Sequence, residues 1–256
     1  MNLVKKGKVY LIGAGPGDVE LLTLKAVRAL GEANVALIDD LVHREVLQFL
    51  RPGARVIEVG KRGGCKSTPQ DFIERQMICY ARLGYTVARV KGGDPYVFGR
   101  GGEEIEALRA AGIAAEVVNG ITAGLGAATA LGIPVTHRDC ARGVTLITGH
   151  TKNGTQPNWA ALAHSGTTLV IYMGMSHLAD IADALRNAGM NGATPVALIQ
   201  NATLATQHSV ITSLSGAAEA AREKGIRSPA IIVIGDVVRF AGKTSAPALQ
   251  SLRQVA

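Results

Sequence analysis

The sequence predicts an α/β protein made of two tandem domains with mostly parallel sheets. Short apolar, β-branched segments alternate with helical patterns from end to end, as in folds whose parallel strands are joined by crossover helices. The chain has 31 glycines but only 4% aromatic residues, which suits many tight strand-to-helix turns better than a β-sandwich. At 256 residues and 47% hydrophobic content, it can bury two modest cores.

The N-terminal domain is expected to span residues 1-136. Short apolar runs predict strands at 9–12, 35–39, 55–59, 86–90 and 115–118. Helical patterns lie at 22–30, 68–83, 103–111 and 122–130. In the second of these helices, Thr68 is expected to cap, with Pro69 at the first helical position and Gly84 ending the helix.

The C-terminal domain is expected to span residues 137-256. Continuous apolar runs at 144–148, 168–172, 196–199 and 230–234 are typical of strands covered on both faces. Helices are expected at 176–187 and 215–224, and an additional, more exposed strand at 208–213. The stretch 132–142 breaks the periodicity with Pro134 and polar residues, so the domain boundary is placed there. A cleft between the two domains is the expected ligand site.

Composition narrows the class of protein without choosing a ligand. The net charge of +7 suits nucleic acid, an anionic membrane or an acidic small substrate. Three cysteines, Cys65, Cys79 and Cys140, are odd in number and lack metal-ligand spacing, which indicates a reduced, cytoplasmic protein without a metal. No apolar run approaches the roughly 18 residues of a membrane helix, and the first strand does not read as a signal peptide.

Two glycine-rich segments follow predicted strands. Residues 13–18 read GAGPGD, which is neither a dinucleotide fingerprint nor a P-loop, so a plain structural turn and a ligand loop both stay open. Residues 91–104 read KGGDPYVFGRGGEE at the end of another strand, where open α/β sheets bind ligands. In this segment Asp94 offers a carboxylate to hydroxyl groups, and Arg100 among glycines favours an anionic partner.

An ordered set of motifs gives the chain a family resemblance. After the two glycine segments come NGITA at 119–123, GIPVTHRD at 132–139, VTLITGH at 144–150, YMGM at 172–175 and PVALIQNAT at 195–203. Together they resemble the uroporphyrinogen-III C-methyltransferase branch of the tetrapyrrole methyltransferases, over about residues 8–239. The resemblance implies C-methylation of uroporphyrinogen III at C2 and C7 to precorrin-2, feeding sirohaem, cobalamin or haem d1 synthesis.

The resemblance also implies a cofactor, S-adenosyl-L-methionine, which would leave as S-adenosyl-L-homocysteine. Its binding residues would lie along the glycine loops of the first domain and at two strand ends of the second. They are Pro16, Gly92, Gly93, Asp94, Val97, Thr122, Ala123, Met173 and Ala202. Taken without its motif, Met173 would read as an ordinary core methionine.

Catalytic and substrate-binding roles follow from the same resemblance. Asp39 is the implied proton acceptor and Lys61 the implied proton donor. Arg100 is implied in catalysis and, with Arg138, in gripping the carboxylates of the substrate, while Glu103 orients Arg100 or faces the pyrrole N–H groups. Where similar enzymes have an arginine after the aspartate, this chain has an aspartate at position 40, which places a like charge beside the base.

Other interpretations stay open at this stage. A later precorrin methyltransferase or an rRNA ribose methyltransferase would share the fold, although the chain lacks the basic runs and aromatics common in RNA recognition. A non-catalytic tetrapyrrole- or nucleotide-binding module is the alternative from another class. The resemblance further implies a homodimer, no nucleic-acid or membrane partner, and no dehydrogenase and ferrochelatase module of the kind fused in sirohaem synthases.

Overall fold

The computed structural model of the chain describes residues 7–60, 68–150 and 155–242. Two compact units divide between Gly126 and Ala127. The predicted boundary after residue 136 lies further along the chain, and the assignment of domains 1-136 and 137-256 stays a prediction. Each unit contains its own five-stranded sheet, which confirms the α/β class.

The sheet of the first unit is parallel throughout. Its strands are β1 (Lys8–Gly13), β2 (Val35–Ile38), β3 (Arg55–Glu58), β4 (Thr86–Lys91) and β5 (Ala114–Val118), in the order β3-β2-β4-β1-β5. Its helices are α1 (Leu24–Glu32), α2 (Gln70–Arg82), α3 (Gly101–Ala110) and α4 (Ala123–Ala130), the last of which crosses into the second unit. All the elements predicted here are confirmed, with ends shifted by a residue or two.

Residues of β1 alternate between the two cores of the first unit. Tyr10 and Ile12 join the cluster that includes α1, whereas Val9 and Leu11 join the cluster that includes α2. Both faces are therefore covered, which explains the continuous apolar pattern of this strand. One local prediction was wrong: Pro69 is the N-cap of α2 and no side chain caps it, so the helix begins one residue later than Thr68 capping requires.

The second unit has a mixed sheet. Its strands are β6 (Val144–Thr148), β7 (Thr168–Tyr172), β8 (Pro195–Gln200), β9 (His208–Ser213) and β10 (Ala230–Ile234), in the order β6-β7-β10-β8-β9. Its own helices are α5 (Trp159–Ala163), α6 (Leu178–Asn187) and α7 (Ala217–Glu223). The strands predicted at these positions, including the exposed β9, are confirmed, and α5 was not predicted.

Strand direction in the second sheet departs from the sequence expectation. Only β6 and β7 pair in parallel, while β10 is antiparallel to both β7 and β8, and β9 is antiparallel to β8. The cause is the direct connection between β8 and β9, because parallel neighbours need a crossover and none is present there. After this reversal the chain returns through α7, and β10 enters the sheet in the opposite direction.

Among the described residues, no helix is long and apolar enough to span a membrane.

Candidate functional site

Three glycine-rich loops leave the carboxyl edge of the first sheet side by side. They follow β4, β1 and β5, which are neighbours in the sheet. The Gly93 N–H donates to the Gly15 carbonyl oxygen at 2.7 Å, and the Gly15 N–H donates back to the Gly93 oxygen at 3.2 Å. The two glycine motifs, remote in sequence, therefore form one backbone-paired structure at the edge where open α/β sheets bind ligands.

Glycine is required where these loops approach one another. A Cβ atom on Gly120 would lie 2.2 Å from the carbonyl oxygen of Gly93, and one on Gly13 would lie 2.5 Å from the Gly120 nitrogen. Both neighbours are backbone atoms, so a flexible side chain cannot move aside to make room. Gly93 also has a φ of +67°, which residues with a side chain rarely adopt. The glycines thus allow three backbones to meet at a single point.

The Asp94 carboxylate holds two of these loops together. Its Oδ1 accepts a hydrogen bond from the Tyr96 N–H at 2.8 Å, and its Oδ2 accepts one from the Gly120 N–H at 3.1 Å. The side chain is nearly buried, and the Val97 N–H bonds the Asp94 carbonyl oxygen at 3.2 Å. An ionised carboxylate has further lone pairs, so the predicted contact with a cofactor hydroxyl is compatible with this structural role. Sequence reasoning did not identify the structural role.

The remaining predicted cofactor residues of the first unit surround the same edge. Pro16 packs on α4, where a Cβ atom on Gly126 would lie 2.6 Å from the proline Cγ. The Thr122 carbonyl oxygen accepts the Gly126 N–H at 3.1 Å near the start of α4. The Thr122 Cα and the Ala123 nitrogen both lie within 4 Å of an ideal Cβ on Gly93. The structure therefore brings these predicted residues together.

The end of β2 adds an acidic corner to this edge. Asp39 follows the strand, and its N–H donates to the Val90 carbonyl oxygen of β4 at 3.1 Å. Asp40 and Leu41 come next and are exposed. An ideal Cβ on Gly92 would lie 3.2 Å from the Leu41 Cβ, so the corner contacts the second glycine loop. Because all strands of this sheet run the same way, the predicted base and the predicted cofactor loops share one edge.

A buried cluster of four ionisable side chains supports that corner. Arg89 and Lys91 lie two residues apart on β4 and therefore share a face of the sheet. The Arg89 Nη2 lies 2.7 Å from the Asp39 Oδ1, and its Nε lies 3.0 Å from the Glu104 Oε1. The Lys91 Nζ lies 3.1 Å from the same Glu104 oxygen and 3.6 Å from the Asp39 Oδ2. Asp39 is the only member of the four with substantial exposure, at 29% of its side chain.

The protonation of Lys91 responds to this environment. Burial lowers the pKa of Lys91 below its ordinary value, and the positive charge of Arg89 lowers it further. The carboxylates of Glu104 and Asp39 act in the opposite direction. Sequence reasoning assigned no role to Arg89, Lys91 or Glu104. The available signal was a pair of cations on a strand otherwise built for burial, with its residues reading TVARVK.

Arg100 and Glu103 pair at the start of α3. Arg100 is the N-cap of this helix in the left-handed conformation, with φ of 57°. Its Nε lies 3.1 Å from both carboxylate oxygens of Glu103, and its Nη2 also bonds Oε2. This pairing raises the pKa of Arg100 above its ordinary value. Both side chains are about half exposed, so Glu103 orients a guanidinium that still faces solvent.

The predicted substrate residue Arg138 lies in the second unit, in a tight turn. His137 and Ala141 exchange backbone hydrogen bonds of 2.8 and 2.9 Å, and the His137 ring stacks on Phe240 at 4.5 Å. Arg138 and Arg142 are exposed and border a shallow depression of about 470 Å³ beside this turn. Arg138 forms no ion pair with any residue in the described part of the chain. Lys61, the predicted proton donor, lies outside the described residues.

Met173 and Ala202 lie at two strand ends of the second sheet. Met173 follows β7 and Ala202 follows β8, and these strands run in the same direction on either side of β10. Met173 has a φ of 54° and is 49% exposed, although methionine is usually buried. Asn201 and Thr203, on either side of the buried Ala202, also have positive φ values. The carboxyl ends of β7 and β8 therefore form a second edge with unusual backbone geometry.

Unusual backbone conformations concentrate at these two edges. The non-glycine residues with positive φ in the described ranges are Phe98, Arg100, Met173, Asn201 and Thr203. All of them follow β4, β7 or β8, and all lie in the motifs that carry the family resemblance. Such conformations cost about 1–3 kcal/mol each and cluster at ligand-binding sites. The backbone itself thus indicates where each unit is specialised for function.

Comparison with known proteins establishes the family. Residues 8–218 match the family model described as Tetrapyrrole (Corrin/Porphyrin) Methylases. A uroporphyrinogen-III C-methyltransferase from Pseudomonas aeruginosa is 56% identical, over 91% of this chain and 95% of its own length. The uroporphyrin-III C-methyltransferase structure from Thermus thermophilus in complex with S-adenyl homocysteine has 40% identity and a TM-score of 0.78, covering 91% and 99% of the two chains. A cobalt precorrin-4 methyltransferase structure has 29% identity and a TM-score of 0.82, covering 93% and 98%. The chain belongs to the tetrapyrrole methylase family.

Proposed function

We propose that the chain is an S-adenosylmethionine-dependent uroporphyrinogen-III C-methyltransferase. The observation that carries the proposal is the edge shared by β2, β4, β1 and β5, where an ionisable carboxylate lies beside three interlocked glycine loops. The relative from Pseudomonas aeruginosa, alike over nearly the full length of both chains, supports this substrate class. The solved relative with bound S-adenyl homocysteine supports the cofactor.

The strand edge of each unit, taken by itself, has features that suit an organic cofactor. The glycines of the first unit leave backbone amides and carbonyls uncovered by side chains, as a closely held ligand needs. In the second unit, the half-exposed Met173 offers apolar surface suited to a purine ring. The cofactor would be held by the residues named from the family resemblance, and when bound it supplies an electrophilic methyl group on a sulfonium.

The contributions of the chain itself are positioning and proton transfer. Arg100, oriented by Glu103, binds a substrate carboxylate and fixes the macrocycle relative to the glycine loops. Arg138, an exposed arginine of the second unit, stays a predicted substrate-binding residue. Asp39, at the exposed end of the buried cluster, takes the proton that the macrocycle releases. Lys61 stays the predicted proton donor.

Replacing Arg100 with leucine should weaken substrate binding. A charge-assisted hydrogen bond contributes about 1.5–3 kcal/mol, so the KM for uroporphyrinogen III should rise by about 10- to 100-fold. The dissociation constant for S-adenosylhomocysteine should change little, because the proposed partner of the guanidinium is a carboxylate of the tetrapyrrole substrate. Arg109→Leu, an exposed arginine in the last turn of the same helix, is the matched control. Equal KM values for the two variants would show that Arg100 does not bind the substrate.

The decisive experiment is methylation of the proposed substrate by the purified protein. We expect incubation with S-adenosylmethionine and anaerobically generated uroporphyrinogen III to yield a tetrapyrrole heavier by two methyl groups in mass spectrometry. Fragmentation or NMR of the product should place them at C2 and C7, as in precorrin-2. Cofactor binding without any methylated product would contradict the proposal.

A later precorrin methyltransferase is the second candidate. The likeness to a cobalt precorrin-4 methyltransferase, at a TM-score of 0.82, favours it on fold. Its lower sequence identity of 29% ranks it behind the first candidate. Product masses from parallel incubations with uroporphyrinogen III and with cobalt precorrin-4 would separate the two activities. The homodimer, the cytoplasmic location and the downstream pathway stay predictions.

A further inference from the structure

Arg89 links the exposed carboxylate of the site to the interior of the first unit. Its guanidinium lies between Asp39 and Glu104, at 2.7 Å from the first and 3.0 Å from the second. A third hydrogen bond runs from its Nη1 to the Val90 carbonyl oxygen at 3.3 Å. With 2% of its side chain exposed, Arg89 is too deeply buried to contact a macrocycle. Its hydrogen bond to the Asp39 Oδ1 therefore fixes one oxygen of that carboxylate from the interior of the unit.

Lys91 approaches the other oxygen of the same carboxylate. Its Nζ lies 3.6 Å from the Asp39 Oδ2, and its hydrogen bond to Glu104 anchors the ammonium group. Asp39 thus has one cation near each oxygen, which restricts rotation of the carboxylate about its side-chain bond. The backbone N–H of Asp39, bonded to Val90, fixes the start of the side chain.

Glu104 anchors both cations. Its Oε1 accepts from the Arg89 Nε at 3.0 Å, the Lys91 Nζ at 3.1 Å and the Gln70 Nε2 at 3.0 Å. Its Oε2 is buried without a hydrogen-bond partner among the described residues. An ion cluster that is mostly buried is a poor source of stability compared with apolar packing, and an unsatisfied buried oxygen adds to its cost. The arrangement is therefore better explained by what it does for Asp39 than by stability.

We infer that Arg89 is the positioning residue of Asp39, held in place by Glu104 and assisted by Lys91. The inference deepens the proposed function and rests on it. Each methyl group that a sulfonium donor delivers arrives as CH₃⁺, so the macrocycle must lose one proton for each methyl group gained. The Asp39 carboxylate takes this proton and becomes a carboxylic acid, and Arg89 keeps the accepting oxygen pointed at the macrocycle.

A double-mutant cycle tests whether Arg89 acts through Asp39. We expect Arg89→Gln to lower the single-turnover methylation rate constant by about 100-fold, because a misplaced catalytic group costs about that much. The KM for uroporphyrinogen III and the affinity for S-adenosylhomocysteine should stay within about twofold of wild type. In the Asp39→Asn background, adding Arg89→Gln should change the rate constant by no more than about twofold. A residue with only a structural role would lower the rate in both backgrounds alike.

Two further variants keep the test interpretable. Arg75→Gln removes an arginine that pairs with Asp71 at 2.7 Å on an exposed face of the same unit, and it should leave the rate unchanged. Arg89→Lys keeps the positive charge on a shorter side chain and should give a rate constant between those of wild type and Arg89→Gln. If Arg89→Gln fails to fold, Arg89→Lys replaces it in the double-mutant cycle. If the wild-type chain is active and the rate losses of Arg89→Gln and Asp39→Asn multiply in the double variant, the inference is wrong while the proposed function stands. A wild-type chain that binds S-adenosylhomocysteine yet methylates no uroporphyrinogen III would remove the proposed function, and the inference with it.

Discussion

Replacing Glu104 with alanine is expected to lower the free energy of unfolding by about 3–5 kcal/mol, because it removes the fully buried carboxylate that two buried cations contact and leaves them only the partly exposed Asp39. Arg89 and Lys91 are at most 4% exposed in their side chains, so water cannot replace the lost partner without local opening. Urea denaturation without cofactor, followed by circular dichroism, measures the change.

The neighbouring Glu103 provides the control for this prediction. It lies on the same helix and pairs with Arg100, but its side chain is 55% exposed. Glu103→Ala should therefore cost no more than about 1 kcal/mol. Similar losses for both variants would mean that the buried cluster contributes no more than a surface ion pair does.

Replacing Gly120 with alanine is expected to separate the interlocked glycine loops and weaken cofactor binding. The new Cβ would lie 2.2 Å from the Gly93 oxygen and 2.7 Å from the Gly13 carbonyl carbon, and neither backbone can yield without moving its loop. Overpacking of this kind costs about 1–3 kcal/mol. If that cost appears in the bound state, the dissociation constant for S-adenosylhomocysteine rises by about 5- to 150-fold. Isothermal titration calorimetry measures it.

Gly102→Ala is the matched control for this variant. Gly102 lies in α3, and an ideal Cβ there meets no heavy atom within 4 Å. The substitution should leave cofactor affinity unchanged and stabilise the helix by about 0.5–1 kcal/mol. Wild-type affinity and stability in Gly120→Ala would show that the loops can yield and that their close contact does not matter for binding.

The parts of the fold that local patterns encode could be predicted from the sequence. The central strands of the first unit, β1, β2 and β4, appear where short apolar runs placed them, since strands buried on both faces need apolar residues throughout. The direction of β10 could not be predicted, because an apolar run reads the same for a parallel and an antiparallel strand. Its direction follows from the connection between β8 and β9, which has no crossover helix and therefore reverses the chain before α7 and β10.

Some features of the candidate site could likewise be predicted from local sequence, and others could not. Glycine loops at strand ends could be recognised because their composition is unusual over a short stretch. The pairing of Asp39, Arg89 and Glu104 could not, because these residues come from three separate elements and meet only in the folded sheet. The hydrogen bond that the Gly120 N–H donates to the Asp94 Oδ2 is hidden for the same reason. Asp39 itself was named only from family resemblance, and its role still depends on experiment.

The strand order of the second sheet has a consequence for synthesis of the chain. Its middle strand, β10, is the last of its strands to leave the ribosome, whereas the middle strand of the first sheet, β4, is followed by only one more. Until β10 emerges, the β6–β7 pair and the β8–β9 hairpin are separate half-sheets, each with an unpaired apolar edge. Such edges invite pairing with other nascent chains. Each unit can complete its sheet only after its middle strand emerges, and because β10 is also the last strand of its sheet, the second unit keeps two unpaired apolar edges until its whole sheet has been synthesised.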